Sequence, residues 1–341
     1  MKHYNIPIFI NHFGCPNSCV FCNQKKINGI ETDLTVDDIK ETIELHLKTL
    51  PKESHIEVAF FGGTFTGLSI ETQIKYLKVV QKYIIENKIK GIRLSTRPDY
   101  INRENLKILK KYNVTLIELG IQSLDFLVLK KSERNYTYEI VKNACTLIKD
   151  CGFSLGVQMM IGLPGSNFES DYFTCKELVK LNPDVARIYP TLVIYDTKLQ
   201  DMHMKKEYIP LSLEEAIKIS KKIYSFFQIN GITIIRVGLQ PSDDLQKDGV
   251  IIDGPFHPAF RELVIGEIYY DFLEKILIKE NKLDIFSNER NISSIIGINK
   301  KNKNRLGQKF HIKIDNKIDK YSIVINEKKY SIIDIYKEEI S

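Results

Sequence analysis

The chain has little cysteine and no long hydrophobic run, and each scarcity removes a class of protein. Six cysteines in 341 residues are too few for a disulfide-stapled framework. No stretch approaches the roughly 20 uninterrupted apolar residues of a spanning helix, so no membrane partner is expected. The opening MKHYNIPIFINHFG has too short an apolar run for a secretory signal and no small-residue cleavage site. A cytoplasmic, reducing compartment is the expectation. Neither sign of charge dominates. Lys plus Arg number 49 and Asp plus Glu 43, for a net +6, which permits an anionic substrate or nucleic acid without demanding one. With 43% hydrophobic residues, 18 Gly and 11 Pro, the chain is neither collagen-like nor disordered. What is present is clustering: Cys15, Cys19 and Cys22 crowd together, while Cys145, Cys151 and Cys175 are dispersed.

Short β-type runs alternate with longer amphipathic stretches. Strands are expected at Ile6–Ile10, Ile56–Phe61, Gly91–Thr96, Leu116–Ile121, Ser154–Ile161, Val185–Val193 and Ile232–Leu239. Several are continuous apolar runs, as strands buried on both faces should be. Helices are expected at Thr35–Leu47, Ile70–Ile85, Arg103–Lys111, Tyr138–Lys149, Glu169–Lys180 and Leu213–Phe227. Such a β-α series means a parallel sheet, doubly wound or closed into a barrel. The number of units favours an α/β fold of the full or partial (β/α) TIM-like barrel kind. Residues 1-240 are expected to form this core, and 241-341 a small α+β extension with a substrate or structural role. In the extension, Gln240–Pro258 reads as a loop and Ala259–Ile278 as a helix. Lys309–Ile314, Tyr321–Ile325 and Tyr330–Ile335 read as short alternating runs. Lys300, Lys301, Lys303, Arg305 and Lys309 form a basic run that reads as a solvated loop, with a nucleic-acid contact as the competing reading.

Cys15, Cys19 and Cys22 form C-x3-C-x2-C directly after the first expected strand. Three thiolates on one loop can hold three irons of a cubane cluster. The open fourth iron suits reaction as well as electron storage. A zinc site, with His12 as the candidate fourth ligand, and three buried thiols are the competing readings.

With Phe21 before its third cysteine, this segment resembles the signature of the radical S-adenosylmethionine (SAM) enzymes. The resemblance implies a 4Fe-4S cluster on Cys15, Cys19 and Cys22, with SAM chelating the fourth iron. It also implies reductive cleavage of SAM to a 5′-deoxyadenosyl radical that abstracts hydrogen from a substrate. An external electron donor of flavodoxin or ferredoxin type would be needed. The implied barrel puts the cluster loop after strand one, where the strand reading independently puts it.

The other motifs fall at expected strand ends. Gly62 and Gly63, before Thr64, let backbone approach a ligand, a tight turn being the plainer reading; the resemblance gives this segment the SAM amino group. Arg93, Arg97 and Asp99 could position anions or close a salt-bridged strand end. Ser95 stands where some relatives have glutamate. Glu118 must be paired if buried. By resemblance, Gln122 and Arg134 contact the ribose and carboxylate, and Gln158 with Gly162, Leu163 and Pro164 flanks the nucleoside. Arg187 and Tyr189 resemble adenine-side and substrate-facing positions. Met159 and Met160 read equally as core. No protein residue is assigned as hydrogen abstractor, because the cofactor carries that chemistry. The dispersed cysteines read as packing residues, and His257 as a loop histidine or a contact at the barrel mouth.

Taken together, HFGCPxxCxFCNQ, FFGGTFTGL, GIRLSTRPDY, ELGIQSLD, MMIGLPG and RIYPTLVI resemble the core of the elongator catalytic subunit, a tRNA wobble-uridine modifying enzyme, and its bacterial relatives. The likeness to oxygen-independent coproporphyrinogen oxidase is more distant. No acetyl-CoA-binding glycine segment follows the core and no long basic extension precedes it, so an acetyltransferase domain is not expected. Modified tRNA is the first expected substrate, and a small molecule or tetrapyrrole the second. A non-catalytic zinc- or RNA-binding module is the alternative outside enzymes.

Overall fold

The computed structural model describes residues 2–10, 15, 19–23, 34–243 and 245–341. Its main sheet has seven parallel strands in chain order. These are β1 (His3–Phe9), β2 (His55–Phe61), β3 (Gly91–Thr96), β4 (Val114–Gln122), β5 (Ser154–Ile161), β6 (Val185–Pro190) and β8 (Thr233–Val237). β1 and β8 are its two edges and do not pair. The sheet is therefore a partial (β/α) barrel. β7 (Val193–Ile194) pairs antiparallel with β9 (Ile251–Asp253) beside it.

Alternation explains the two faces. Side chains at i and i+2 share a face. On β2, Ile56, Val58 and Phe60 go to the helix side and are buried, whereas Glu57 and Phe61 go to the inside of the barrel. The helix side meets Ile39 and Ile43 of helix Val36–Thr49, Leu77 and Val80 of Ile70–Ile85, and Leu106 and Leu109 of Arg103–Lys111 in one core. Polar caps start these helices, satisfying amides that have no partner in the first turn. Thr35 and Asp38 form a capping box, Ser69 accepts from the Thr72 amide, and Asn102 from the Asn105 amide.

After β8 and β9, helix Phe260–Glu280 packs against helix Leu213–Ile229. A mixed sheet follows. β10 (Leu283–Ser287) runs parallel to β11 (Phe310–Ile314) and antiparallel to β12 (Ser322–Ile325), which pairs with β13 (Lys328–Ser331). The last helix, Ile332–Ile340, returns to Leu213–Ile229, where Tyr336 meets Tyr224 edge-on with ring centroids 5.6 Å apart. No helix among the described residues is long and apolar enough to cross a membrane.

Four expectations change. The alternating run Tyr330–Ile335 is part strand and part helix, because Ser331 and Asp334 close a capping box that ends the strand. The expected strand Val185–Val193 stops at Pro190, and the Thr191 amide and hydroxyl both turn back to Ile161 O, at 3.0 and 2.7 Å. The segments Leu283–Ser287 and Glu289–Ile296, unassigned in the sequence, are a strand and a helix. The basic run is solvated, all five of its cations being exposed, but it is not a loop. Lys301–Leu306 is a helix, Arg305 is ion-paired with Glu267 at 2.8 Å, and its guanidinium lies over Tyr270, 3.2 Å from the ring centroid. Glu267, on helix Phe260–Glu280, pairs with Arg305 and Lys301 of the run.

Candidate active site

A cavity of about 470 Å³ opens at the C-terminal ends of the main strands, where a barrel of this kind builds its site. Cys15, Cys19 and Cys22 all line it, beside Phe21. Gly62, Gly63 and Thr64 follow β2 into it, Gly120 and Gln122 come from β4, Gln158 and Met160 from β5, and Arg187 and Tyr189 from β6.

Two contacts tie the cysteine segment to the barrel. Cys15 Sγ lies 3.1 Å from Thr64 Oγ1, and Arg134 Nη1 donates to Cys19 Sγ at 3.0 Å. Arg134 also donates to Gly120 O and, through Nε, to the Tyr136 hydroxyl at 2.7 Å. Burial opposes its charge, but Tyr136 and Cys19 outweigh burial and hold its pKa above the ordinary value. Burial pushes the Tyr136 phenol up to about 12 and raises the Cys15 thiol, which the Thr64 hydrogen bond partly offsets.

Arg97 grips Asp99 through two bonds of 2.9 and 2.8 Å, while its Nη1 is buried without a hydrogen-bond partner among the described residues. Both sequence readings of this segment are therefore visible, a salt-bridged strand end and a donor left for an anion. Glu118 is buried and paired, as its position required. It forms an ion pair with Arg93, accepting from Nε at 3.1 Å, and also pairs with Arg187, whose Nη1 donates to the Tyr189 hydroxyl at 3.2 Å.

Backbone form brings the two glutamines together. β4 and β5 shift register between Gly120 and Gln122, and Gln122 has a φ of 68°, a left-handed conformation that non-glycine residues rarely adopt. Gln158 Nε2 then donates to Gln122 Oε1 at 3.2 Å at the cavity wall. Gly62, with a φ of 84°, takes a turn open to glycine at little cost.

Gly162, Leu163 and Pro164 are not among the residues lining the cavity. Leu163 is buried with Val128 behind Met160, and the Gly162 amide donates to Asp171 Oδ2 at 3.0 Å. Burial pushes the Asp171 carboxyl up to about 7. Met159 is core and Met160 lines the cavity. His257 Nδ1 accepts from the Ala259 amide at 3.0 Å, a local turn. Cys145 and Cys175 are buried. His12 lies outside the described residues. The sequence reading passed over Arg236, which lines the cavity from the end of β8. Its signal was a lone charge within an otherwise uncharged strand.

Residues 12–174 match the family model of the Radical SAM superfamily, and residues 183–270 that of the Radical_SAM C-terminal domain. The chain belongs to the radical SAM superfamily, a class of enzymes, and the non-catalytic zinc-module reading falls away. Within that class it is similar to the tRNA uridine(34) acetyltransferase of Methanocaldococcus jannaschii, with 30% identity over 260 residues, covering 68% of this chain and 46% of that protein. Elongator complex protein 3 of Schizosaccharomyces pombe is 31% identical over 170 residues, covering 48% of this chain and 31% of that protein. The solved structure of archaeal Methanocaldococcus infernus Elp3 with an N-terminal deletion has a TM-score of 0.62 at 26% identity, covering 81% of this chain and 63% of that one. The chain thus spans less than half the length of these two curated relatives.

Proposed function

We propose that the cavity holds a 4Fe-4S cluster on Cys15, Cys19 and Cys22 with SAM beside it, and that the chain serves hydrogen abstraction from a uridine of tRNA. The observation that carries the reading is that three sulfurs of one short segment line one cavity with an arginine donating to the middle one. The donor set fits: thiolates are the ligands of such clusters, and no fourth cysteine is among the lining residues. When bound, the pair supplies reductive SAM cleavage to a 5′-deoxyadenosyl radical, with the electron from a flavodoxin- or ferredoxin-type donor.

The protein's own part is to bind and orient. Arg134 holds the Cys19 sulfur and ties it to the β4 end. Gly62, Gly63 and Thr64 present backbone and a hydroxyl to the amino end of SAM. The partnerless Nη1 of Arg97 suits its carboxylate, and Gln122 with Gln158 suits its ribose hydroxyls. Leu163, between Gly162 and Pro164, supports this wall by packing against Met160. Residues 1-240 supply nearly all of these groups, and 241-341 have a structural role, packing on helix Leu213–Ile229. Thiols of this kind, outside any disulfide, suit the reducing cytoplasm. The substrate reading is supported by relatives named for tRNA uridine(34).

Anaerobic reconstitution followed by SAM and dithionite tests the proposal. Release of 5′-deoxyadenosine, with deuterium exchanged between it and tRNA, is the expected result. An intact cluster that yields no 5′-deoxyadenosine would overturn the chemistry. Release without exchange into tRNA would overturn only the substrate.

A further inference from the structure

Four arginines line the cavity, Arg97, Arg134, Arg187 and Arg236, and no aspartate or glutamate is among the lining residues. Three of the four are matched. Arg97 has Asp99, Arg187 has Glu118, and Arg134 has the Cys19 sulfur and Tyr136. Arg236 differs. Its Nε donates to Gly238 O at 3.2 Å, and it makes no ion pair among the described residues. The groups facing it are Tyr189, Arg187, Arg261 and Glu262, and burial together with the two neighbouring guanidiniums lowers its pKa below the ordinary arginine value. Glu262 attracts it from beyond ion-pair distance, and a half-buried cation with no contact ion pair is costly. Here the cost faces a cavity open to a ligand.

Resting on the reading of this cavity as the SAM and substrate site, we propose that Arg236 anchors a phosphate of the substrate, within an anion subsite on the β8 side of the cavity. The planar guanidinium fork suits bidentate phosphate binding. Gln240 and Ser242 line the same wall just beyond β8. The position separates this subsite from the cysteine side. Arg97 follows β3, and β4, β5 and β6 stand between β3 and β8, so the two guanidiniums enter the cavity from different strands. A uridine base and ribose are neutral, so the phosphate is the part of a nucleotide that this residue can recognise. The chemistry is shared by an RNA backbone and a small phosphorylated molecule.

Calorimetric titration of cluster-free protein with uridine 5′-monophosphate tests the subsite without relying on SAM cleavage, so an inactive enzyme would leave the result standing. The nucleotide should bind at least tenfold more tightly than uridine. Arg236→Gln should shrink that preference to under twofold, and Arg236→Lys should keep part of it, with thermal unfolding confirming that both variants are folded. Equal binding of uridine and its monophosphate by the unaltered protein, or an undiminished preference in Arg236→Gln, would overturn the proposal. So would acetate binding as tightly as the nucleotide, which would make the group a carboxylate. Displacement of the nucleotide by an anticodon stem-loop RNA supports RNA as the source. Displacement by ribose 5-phosphate and not by the RNA would overturn the RNA source and keep the phosphate.

Discussion

Arg134 Nη1 lies 3.0 Å from Cys19 Sγ although 115 positions separate the two residues. The same guanidinium bonds to Gly120 O and to Tyr136, so one side chain joins the cysteine segment, the end of β4 and the turn after helix Phe126–Lys131. A charge-assisted hydrogen bond of this kind contributes about 1.5–3 kcal/mol.

Arg134→Gln should therefore lower 5′-deoxyadenosine formation by about 10- to 100-fold at equal iron content, the range that this energy implies. Arg134→Lys should recover little, because a point charge cannot reach three partners. Single-turnover product assays paired with iron analysis decide it. A Gln variant with unaltered turnover would mean that the contact positions nothing.

The cysteines should divide sharply. Cys15→Ala, Cys19→Ala or Cys22→Ala should abolish iron and sulfide retention after reconstitution. Cys145→Ala and Cys175→Ala should retain both. Those two sulfurs are buried in the core away from the cavity, and burial pushes the Cys145 thiol up to about 12, which makes it a poor ligand. Metal loss in Cys145→Ala at unchanged stability would contradict the division.

Glu118 sits between two guanidiniums inside the barrel. Glu118→Gln should destabilise the fold by about 3–5 kcal/mol, because removing one partner leaves buried like charges facing each other. Arg93→Met and Arg187→Met combined with Glu118→Leu should cost less than Glu118→Gln alone, because no buried charge is then left unpaired. Urea titrations of the three proteins measure this, and a Gln variant within 1 kcal/mol of the parent (roughly the value of a surface pair) would refute it.

Asp171 gives stability a pH slope. Its folded carboxyl titrates near 7 because it is buried, whereas the unfolded one titrates near 4. Between those values the folded state binds more protons, so this residue's contribution is fully present below about 4 and is lost as pH rises to about 7. The parent should lose on the order of a few kcal/mol from this residue across that window. Asp171→Asn, which keeps an acceptor for the Gly162 amide, should show a flatter melting temperature from pH 5 to 8. Parallel pH profiles for the two proteins would rule the residue out.

Much of the barrel was legible because its signals are local. β2, β4 and β5 are short, mostly apolar runs between helices of clear amphipathic spacing, so both kinds of element announce themselves by period. The three cysteines and the Gly62-Gly63 turn were legible for the same reason, since their chemistry depends on spacing within one segment. The C-terminal sheet was less so. Its strands are short, and at Ser331 a capping hydrogen bond overrides a pattern that reads as strand. Gly162, Leu163 and Pro164 look like site residues in the chain, yet none of them lines the cavity, and Leu163 packs against Met160 of its wall.

By itself, then, the sequence determined the class of the protein, through three closely spaced thiols and a repeating β-α period, both properties of neighbouring residues. Tertiary structure alone decided which charges are matched. Glu118 finds Arg93 and Arg187, Glu267 neutralises Arg305, Arg134 reaches Cys19, and Arg236 is left facing the cavity. Pairing of charges depends on distance through space, and the barrel brings together groups that the chain keeps tens to more than a hundred residues apart.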